Sequence, residues 1–253
     1  MEPVRVAMLL AYDGAGFRGF ARQRERRTVQ GEIERTVSLV ARREILTTGA
    51  GRTDAGVHAA GQVMTFDAPA SLDLTELAKR INKMLAPEIS IKAVVAAPPG
   101  FDARFSARRR IYEYRIYGGP APDPFLDRFA LWEPRPLDVG AMNDAARHLV
   151  GEHDFASFCR ANAKSLVRRI RIVRVRAARD SRTTIRVEGD SFCHQMVRSI
   201  TGCLLAVGFG DRMPEWVGNV LRAKNRQAAA DVAPARGLTL MRVVYRPDPF
   251  ASR

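Results

Sequence analysis

Apolar periodicity is the feature that most restricts the fold, because it alternates between a period of two and one near 3.6 in an order that occurs twice. Val4 to Tyr12 is rich in apolar residues and ends at Asp13-Gly14, the pattern of a buried strand entering a turn. Thr28 can cap a helix whose stripe is Val29, Ile33, Val37 and Val40. A short strand is expected around Ile45 to Thr48, then a glycine-rich loop and a strand from Gln62 to Phe66. Asp73 can cap a second helix with Leu74, Leu77, Ile81 and Leu85 inward, before a strand from Ile89 to Val95. The same order returns as a strand at Ile111 to Tyr117 and a helix capped by Asp138, with Met142, Ala145 and Leu149 inward. Strands at Val167 to Ala177 and Thr183 to Glu188, helices at Gln195 to Val207 and Pro214 to Ala223, and a closing strand at Leu240 to Tyr245 complete it. This predicts an α+β protein of two fused ferredoxin-like halves with mainly antiparallel sheets, residues 1–100 and 101–253, joined near Pro98-Pro99-Gly100.

Within the second half, the alternation Ile170, Ile172 slips to Val173, Val175, which transfers the apolar set to the other side of the pleat. A bulge near Ile172 and Val173 would account for the slip. The proline-rich segment Gly118 to Pro136 and the segment Gly151 to Lys164 read as connectors without regular structure.

The chain carries 36 arginines and 5 lysines against 27 acidic residues, a net charge of +14. Guanidinium forks match phosphate and stack on bases, so this surplus points to a nucleic-acid partner. The basic residues cluster at Arg22, Arg24, Arg26 and Arg27; at Arg104 and Arg108 to Arg110; over Arg168 to Arg176; and at Arg222, Lys224 and Arg226. Each cluster alone could be a solvated face, whereas four together favour a phosphate track. Cys159, Cys193 and Cys203 have no CxxC spacing, which supports neither a disulfide scaffold nor a thiolate zinc site and suits a reducing compartment. His58, His148, His153 and His194 are scattered, and no metal site is expected. No phosphate-binding glycine loop, serine elbow or membrane-length apolar run occurs, and the first residues lack a leader pattern, so the expected location is cytoplasmic.

One carboxylate stands in a suggestive setting: Gly51-Arg52-Thr53-Asp54-Ala55-Gly56-Val57-His58-Ala59. Read locally, Asp54 is more simply a turn residue bonded to its own backbone than a catalyst. Tyr112 and Tyr114 share one face of their strand beside arginines, where a ring could stack on an unpaired base or serve the core.

Together with further motifs, that stretch resembles the bacterial tRNA pseudouridine synthase A family over nearly the whole chain. The marks are Tyr12-Asp13-Gly14 with Phe17, Thr28-Val29-Gln30, the Gly51 to Ala59 stretch, and Phe101-Asp102-Ala103-Arg104-Phe105-Ser106-Ala107 leading to Tyr112-Glu113-Tyr114. Gly151-Glu152-His153-Asp154-Phe155, Ser191-Phe192-Cys193-His194-Gln195-Met196-Val197-Arg198 and Ala233-Pro234-Ala235-Arg236-Gly237-Leu238 continue them in the family's order. The resemblance implies the pseudouridine synthase fold and isomerisation of uridine to pseudouridine at tRNA positions 38, 39 and 40, in the anticodon stem-loop. It further implies Asp54 as catalyst, Arg198 as its ion-pair partner, Tyr112 stacked on the target base, Leu238 closing the pocket and Arg52 helping to extrude the nucleotide. It implies a homodimer and no cofactor, since the reaction is redox-neutral and loses no group. Arg22, Gln23, Arg24, Arg108 and Arg110 are then the expected backbone contacts to tRNA.

Two departures stand out. Gly19-Phe20-Ala21-Arg22-Gln23 replaces the family's common Gly-Trp-Gln, and Cys193 stands where an aliphatic residue is usual. Two other classes fit the charge: an RNA-binding protein of two RRM-like halves, which would want aromatics of the RNP1 pattern that are missing here, and a base-flipping DNA enzyme.

Overall fold

The computed structural model describes residues 3–160, 165–178 and 181–251. The chain forms two compact units. Unit 1 runs to Arg108 and takes up the chain again from Leu240, while unit 2 spans Arg109–Thr239. The closing strand thus belongs chiefly to the unit that also holds the first, a long-range return that no local pattern announces.

In unit 1 the elements are β1 (Val4–Tyr12), α1 (Val29–Ala41), β2 (Thr48–Gly49), β3 (His58–Ala68), α2 (Leu74–Leu85) and β4 (Ile89–Ala96). β1 lies between β4 and β3, antiparallel to both, and β2 pairs antiparallel with β3. The order β4-β1-β3-β2 is the one in which two βαβ units interleave, as expected. The caps are the expected ones: the Thr28 hydroxyl accepts from Gly31 N–H, and Asp73 accepts from Thr75 and Glu76 N–H. α1 and α2 pack against each other, and α2 also packs on β4, burying Val29, Ile33, Val37, Leu77, Ile81 and Leu85. The expected strand at Ile45 to Thr48 shrinks to the two residues of β2, because Ile45 instead bonds through its backbone to the Ser38 side chain at the end of α1.

Unit 2 contains β5 (Arg109–Tyr117), β6 (Leu131–Trp132), α3 (Val139–Arg147), β7 (Gly151–Asp154), β8 (Val167–Ala177), β9 (Arg182–Gly189), α4 (Met196–Gly208) and α5 (Glu215–Ala223). Its sheet runs β5-β9-β8-β7 with antiparallel pairs, and β6 lies parallel beside β5. β10 (Leu238–Val244) starts in unit 2 and continues in unit 1 beside β3, where Gly61 leaves room for the Met241 carbonyl. The bulge sits between Ile170 and Ile172, just ahead of the expected position: Ile170 pairs with Gly189, yet Ile172 pairs with Glu188. α4 is buried almost all round, with Ile200, Cys203, Leu204 and Val207 in the core and α3 against it.

Two connectors are more regular than expected. Gly118 to Pro136 contributes β6, and Gly151 to Lys164 contributes β7 and a 3₁₀ turn at Ala156–Phe158; residues 161–164 lie outside the described residues. A further correction concerns the cysteines: Cys159 and Cys193 form a disulfide with Cα atoms 5.7 Å apart, leaving Cys203 as a buried free thiol. Among the described residues no helix is long and apolar enough to cross a membrane.

Candidate functional site

The loop carrying Asp54 joins β2 to β3 and is fixed at both ends by backbone and buried side chains. Ala50 N–H donates to the Val63 carbonyl at 2.8 Å, and the Gln62 amide donates to the Gly51 carbonyl at 2.9 Å. Thr53 is buried beneath the loop. Its hydroxyl shares a 2.8 Å hydrogen bond with the Tyr12 hydroxyl at the end of β1, and its carbonyl accepts from Phe20 N–H at 3.0 Å. Val57 N–H then closes a turn onto the Asp54 carbonyl at 3.1 Å, with Gly56 at a φ of 78° that suits glycine. Asp54 itself is half-buried between buried Thr53 and exposed Ala55, and Arg52 is exposed. A carboxylate so placed is held by its neighbours' backbone while staying reachable.

The Asp13-Gly14 turn explains why this loop sits against β1. Gly14 has no room for a side chain, since a Cβ would run into the Val57 carbonyl. Its N–H points to Nδ1 of buried His58 at 3.0 Å, and the same nitrogen lies 3.1 Å from the Asp13 carboxylate. Burial pushes the Tyr12 phenol up to about 12, with hydrogen bonding to Thr53 and Gln62 opposing, so the hydroxyl under the loop is a fixed neutral support at ordinary pH.

Unit 2 gathers three of the other expected residues. Tyr112 on β5 is buried, and its ring meets Phe192 edge-on at 5.2 Å between centroids. Two residues along, on the same face, Tyr114 donates its hydroxyl to the Pro234 carbonyl at 2.9 Å. Arg198, in the first turn of α4, donates Nε–H to the Ala233 carbonyl at 2.7 Å, and Ala233 N–H returns a bond to the Arg198 carbonyl at 3.2 Å. Gly237 presses on the Tyr114 ring, where a Cβ would clash, and buried Leu238 follows at the head of β10. Burial raises the Tyr114 phenol, while the charges of Arg198 and Arg236 pull it the other way. The segment 233–238 therefore connects β5 to α4. Asp54 and Arg52 belong to unit 1; Tyr112, Arg198 and Leu238 belong to unit 2.

The basic residues differ in what they offer. Arg24 is fully exposed, its guanidinium 3.6 Å from Glu25, and Arg108 is also exposed. Arg22 is tethered to α1: its N–H donates to Gln30 and its guanidinium pairs at 3.3 Å with buried Glu34. Gln23 donates to the Arg18 carbonyl, folding the first loop on itself. Arg110 is buried and donates to the Asp190 carbonyl at 2.6 Å, so it shapes the end of β5 rather than standing out as a surface cation. On β7 to β9, Arg169 pairs with Glu152 and Arg171 with Asp190, which spends part of that cluster's charge within the protein.

Sequence reasoning missed two groups. Tyr12, Thr53 and His58 form the support beneath Asp54, although all three lie in motifs already singled out. The second group is an open cleft in unit 2 lined by Arg160, Gln195, Arg226, Gln227, Ala229 and Asp231, drawn from three separate stretches, although Arg226 stood in an expected basic cluster and Gln195 in a quoted motif. Among the described residues, no group of three or more His, Cys, Asp and Glu side chains is arranged to hold a metal ion.

Comparison with known proteins adds a lineage to this geometry. The profile of a family described as tRNA pseudouridine synthase matches residues 8–106 and 145–246. The chain is similar to the tRNA pseudouridine synthase A of Frankia casuarinae, 49% identical over 97% of this chain and 91% of that protein. It is also similar to those of Streptomyces avermitilis (45%, covering 97% and 89%) and Pseudothermotoga lettingae (40%, covering 95% and 99%).

Proposed function

The chain belongs to the tRNA pseudouridine synthase A family, and we propose that it isomerises uridine to pseudouridine at positions 38, 39 and 40 of the tRNA anticodon stem-loop, with Asp54 as the catalytic residue. The observation that carries this reading is the Gly51–Ala59 stretch: a half-buried carboxylate on a loop pinned by Tyr12–Thr53 and by Phe20 N–H.

The reaction breaks the bond from N1 to C1′ and joins C5 to C1′. The C5 proton leaves to a base and N1 gains one, so atoms and electrons balance without a cofactor. A carboxylate can attack C1′ as nucleophile or remove a sugar proton as base, and both routes require ionised Asp54. Arg198 is proposed to favour that ionised form as ion-pair partner. Its Nε–H bond to Ala233 seats the side chain in the first turn of α4. Tyr112, fixed edge-on by Phe192, would stack on the extruded base, and Leu238 would exclude water. Arg52 would help to push the nucleotide out of its stack, a step that costs a few kcal/mol. Exposed Arg24 and Arg108 suit phosphate contacts, with tethered Arg22 and Gln23 holding the shape of the first loop. We further propose a cytoplasmic homodimer, in keeping with the family.

Tritium release tests the reading. With tRNA transcript labelled at uridine C5, the folded protein should liberate tritium in step with pseudouridine formed. Tight tRNA binding without release would instead favour a purely RNA-binding role, and a preference for DNA would favour a base-flipping DNA enzyme.

A further inference from the structure

The loop at residues 155–160 and the segment before α4 are joined twice. Cys159, buried at the end of the 3₁₀ turn Ala156–Phe158, is disulfide-bonded to half-buried Cys193, 34 residues away. Their Cα separation of 5.7 Å lies in the middle of the range a disulfide spans. Next to that bridge, Arg160 N–H donates to the His194 carbonyl at 3.1 Å. On the other side, Ser157 is fully buried, donates to the Val220 carbonyl at 2.6 Å and accepts from Asn225 N–H at 2.9 Å, which ties the same loop to the residue before Arg226.

These ties converge on one cleft. Arg160 follows Cys159 directly, Gln195 follows Cys193 by two, and both line the cleft with Arg226. The Arg226 guanidinium is propped on the Ala229 and Ala230 carbonyls. Gln195 is held at a φ of 64°, a left-handed backbone uncommon for its residue type, immediately ahead of α4. Arg160, Gln195 and Arg226, beside Gln227, set two guanidinium groups against the one carboxylate of Asp231 around an open cleft, a donor set suited to a phosphodiester. Two of the three lie within two residues of a bonded cysteine.

We propose that Cys159 and Cys193 are a reversible redox pair whose disulfide holds Arg160 and Gln195 in place to grip the tRNA backbone, and whose reduction loosens that grip. The tRNA as ligand rests on the reading under Proposed function; the redox pair does not. Reduction breaks the S–S bond and forms two S–H bonds, taking two electrons and two protons from a dithiol, which becomes a disulfide. Attack falls on Cys193, the more exposed of the two residues, and Cys159 leaves as thiolate. A disulfide-bearing oxidant reverses the exchange. Cys203 stays out of it, buried in α4 with its thiol pushed up to about 11 by desolvation.

The test equilibrates the full-length protein with oxidised or reduced dithiothreitol, maps thiols by alkylation and mass spectrometry, and measures Kd for a tRNA transcript and kcat at saturating tRNA. A Cys159–Cys193 cross-linked peptide is expected in the oxidised sample, with Kd about three- to tenfold weaker on reduction, the scale of one or two lost phosphate contacts, and kcat unchanged. Cys159→Ser and Cys193→Ser should bind like reduced wild type in either reagent. A missing cross-link, or an equal Kd in both states, overturns the proposal, and the wild-type arms alone decide it should either variant fail to fold. Absence of tritium release in both states would sink the isomerase reading instead, leaving the comparison of Kd values intact.

Discussion

Asp54 and Arg198 are each fixed by backbone hydrogen bonds, but the two neighbourhoods are built differently. Asp54 lies within seven residues whose own backbone makes the turn, supported from below by one hydroxyl pair, Tyr12 and Thr53. Arg198 is seated by Ala233, 35 residues along the chain, and the segment that supplies Ala233 is itself fastened to β5 through Tyr114 and Pro234. The Asp54 loop makes its own turn but also leans on Tyr12, 41 residues away at the end of β1, so its geometry forms once β1 has paired with β3. A corner assembled from β5, α4 and the approach to β10 exists only once unit 2 has packed. Under the proposed function the first carries the reacting carboxylate and the second its ion-pair partner, a short way after Cys193 and its tie to Cys159.

The sharpest way to separate the two neighbourhoods is Asp54→Asn, which keeps the loop's shape and removes its charge. Turnover should fall at least about a thousandfold while tRNA binding remains near wild type. Comparable losses of binding and turnover would show that the loop is a binding element instead.

The glycines beneath each seat come next. Gly14→Ala drives a Cβ into the Val57 carbonyl below the Asp54 loop, and Gly202→Ala drives one into the Asp231 carbonyl near the Arg198 corner. Each should cost about 3 kcal/mol in urea unfolding, the upper end for overpacking against backbone. Gly14→Ala should depress kcat more, and Gly202→Ala should raise KM more.

A smaller effect follows from the Tyr12 phenol. Its folded value near 12 exceeds the ordinary 10, so between those limits the folded chain keeps a proton that the unfolded chain has lost. Stability should therefore be unaffected by this group below pH 10 and fall as pH rises through the window. Tyr12→Phe should flatten that part of the stability profile, and an unchanged slope would remove Tyr12 as the buried support. Arg24→Ala should act least of all, weakening tRNA binding slightly and reducing the salt slope by about one.

Most of the fold was legible because caps and apolar stripes agree with packing: Thr28, Asp73 and Asp138 cap the helices expected of them. β7 was not, since Gly151-Glu152-His153-Asp154 has no apolar alternation and becomes a strand only by pairing with β8. The disulfide escaped for the same reason: cysteines 34 residues apart meet through tertiary structure alone. The Asp54 loop was visible because its parts are contiguous, whereas Arg198 and Tyr112 came into view through family resemblance, and Arg110 looked like a surface cation until its bond to Asp190 was seen.

The central claim, isomerisation in the anticodon stem-loop, is tested most directly by mapping pseudouridine position by position in unmodified tRNA transcripts incubated with the wild-type protein. New pseudouridine at positions 38, 39 and 40, and at those alone, is the predicted result; none, or modification confined to other positions, would contradict it.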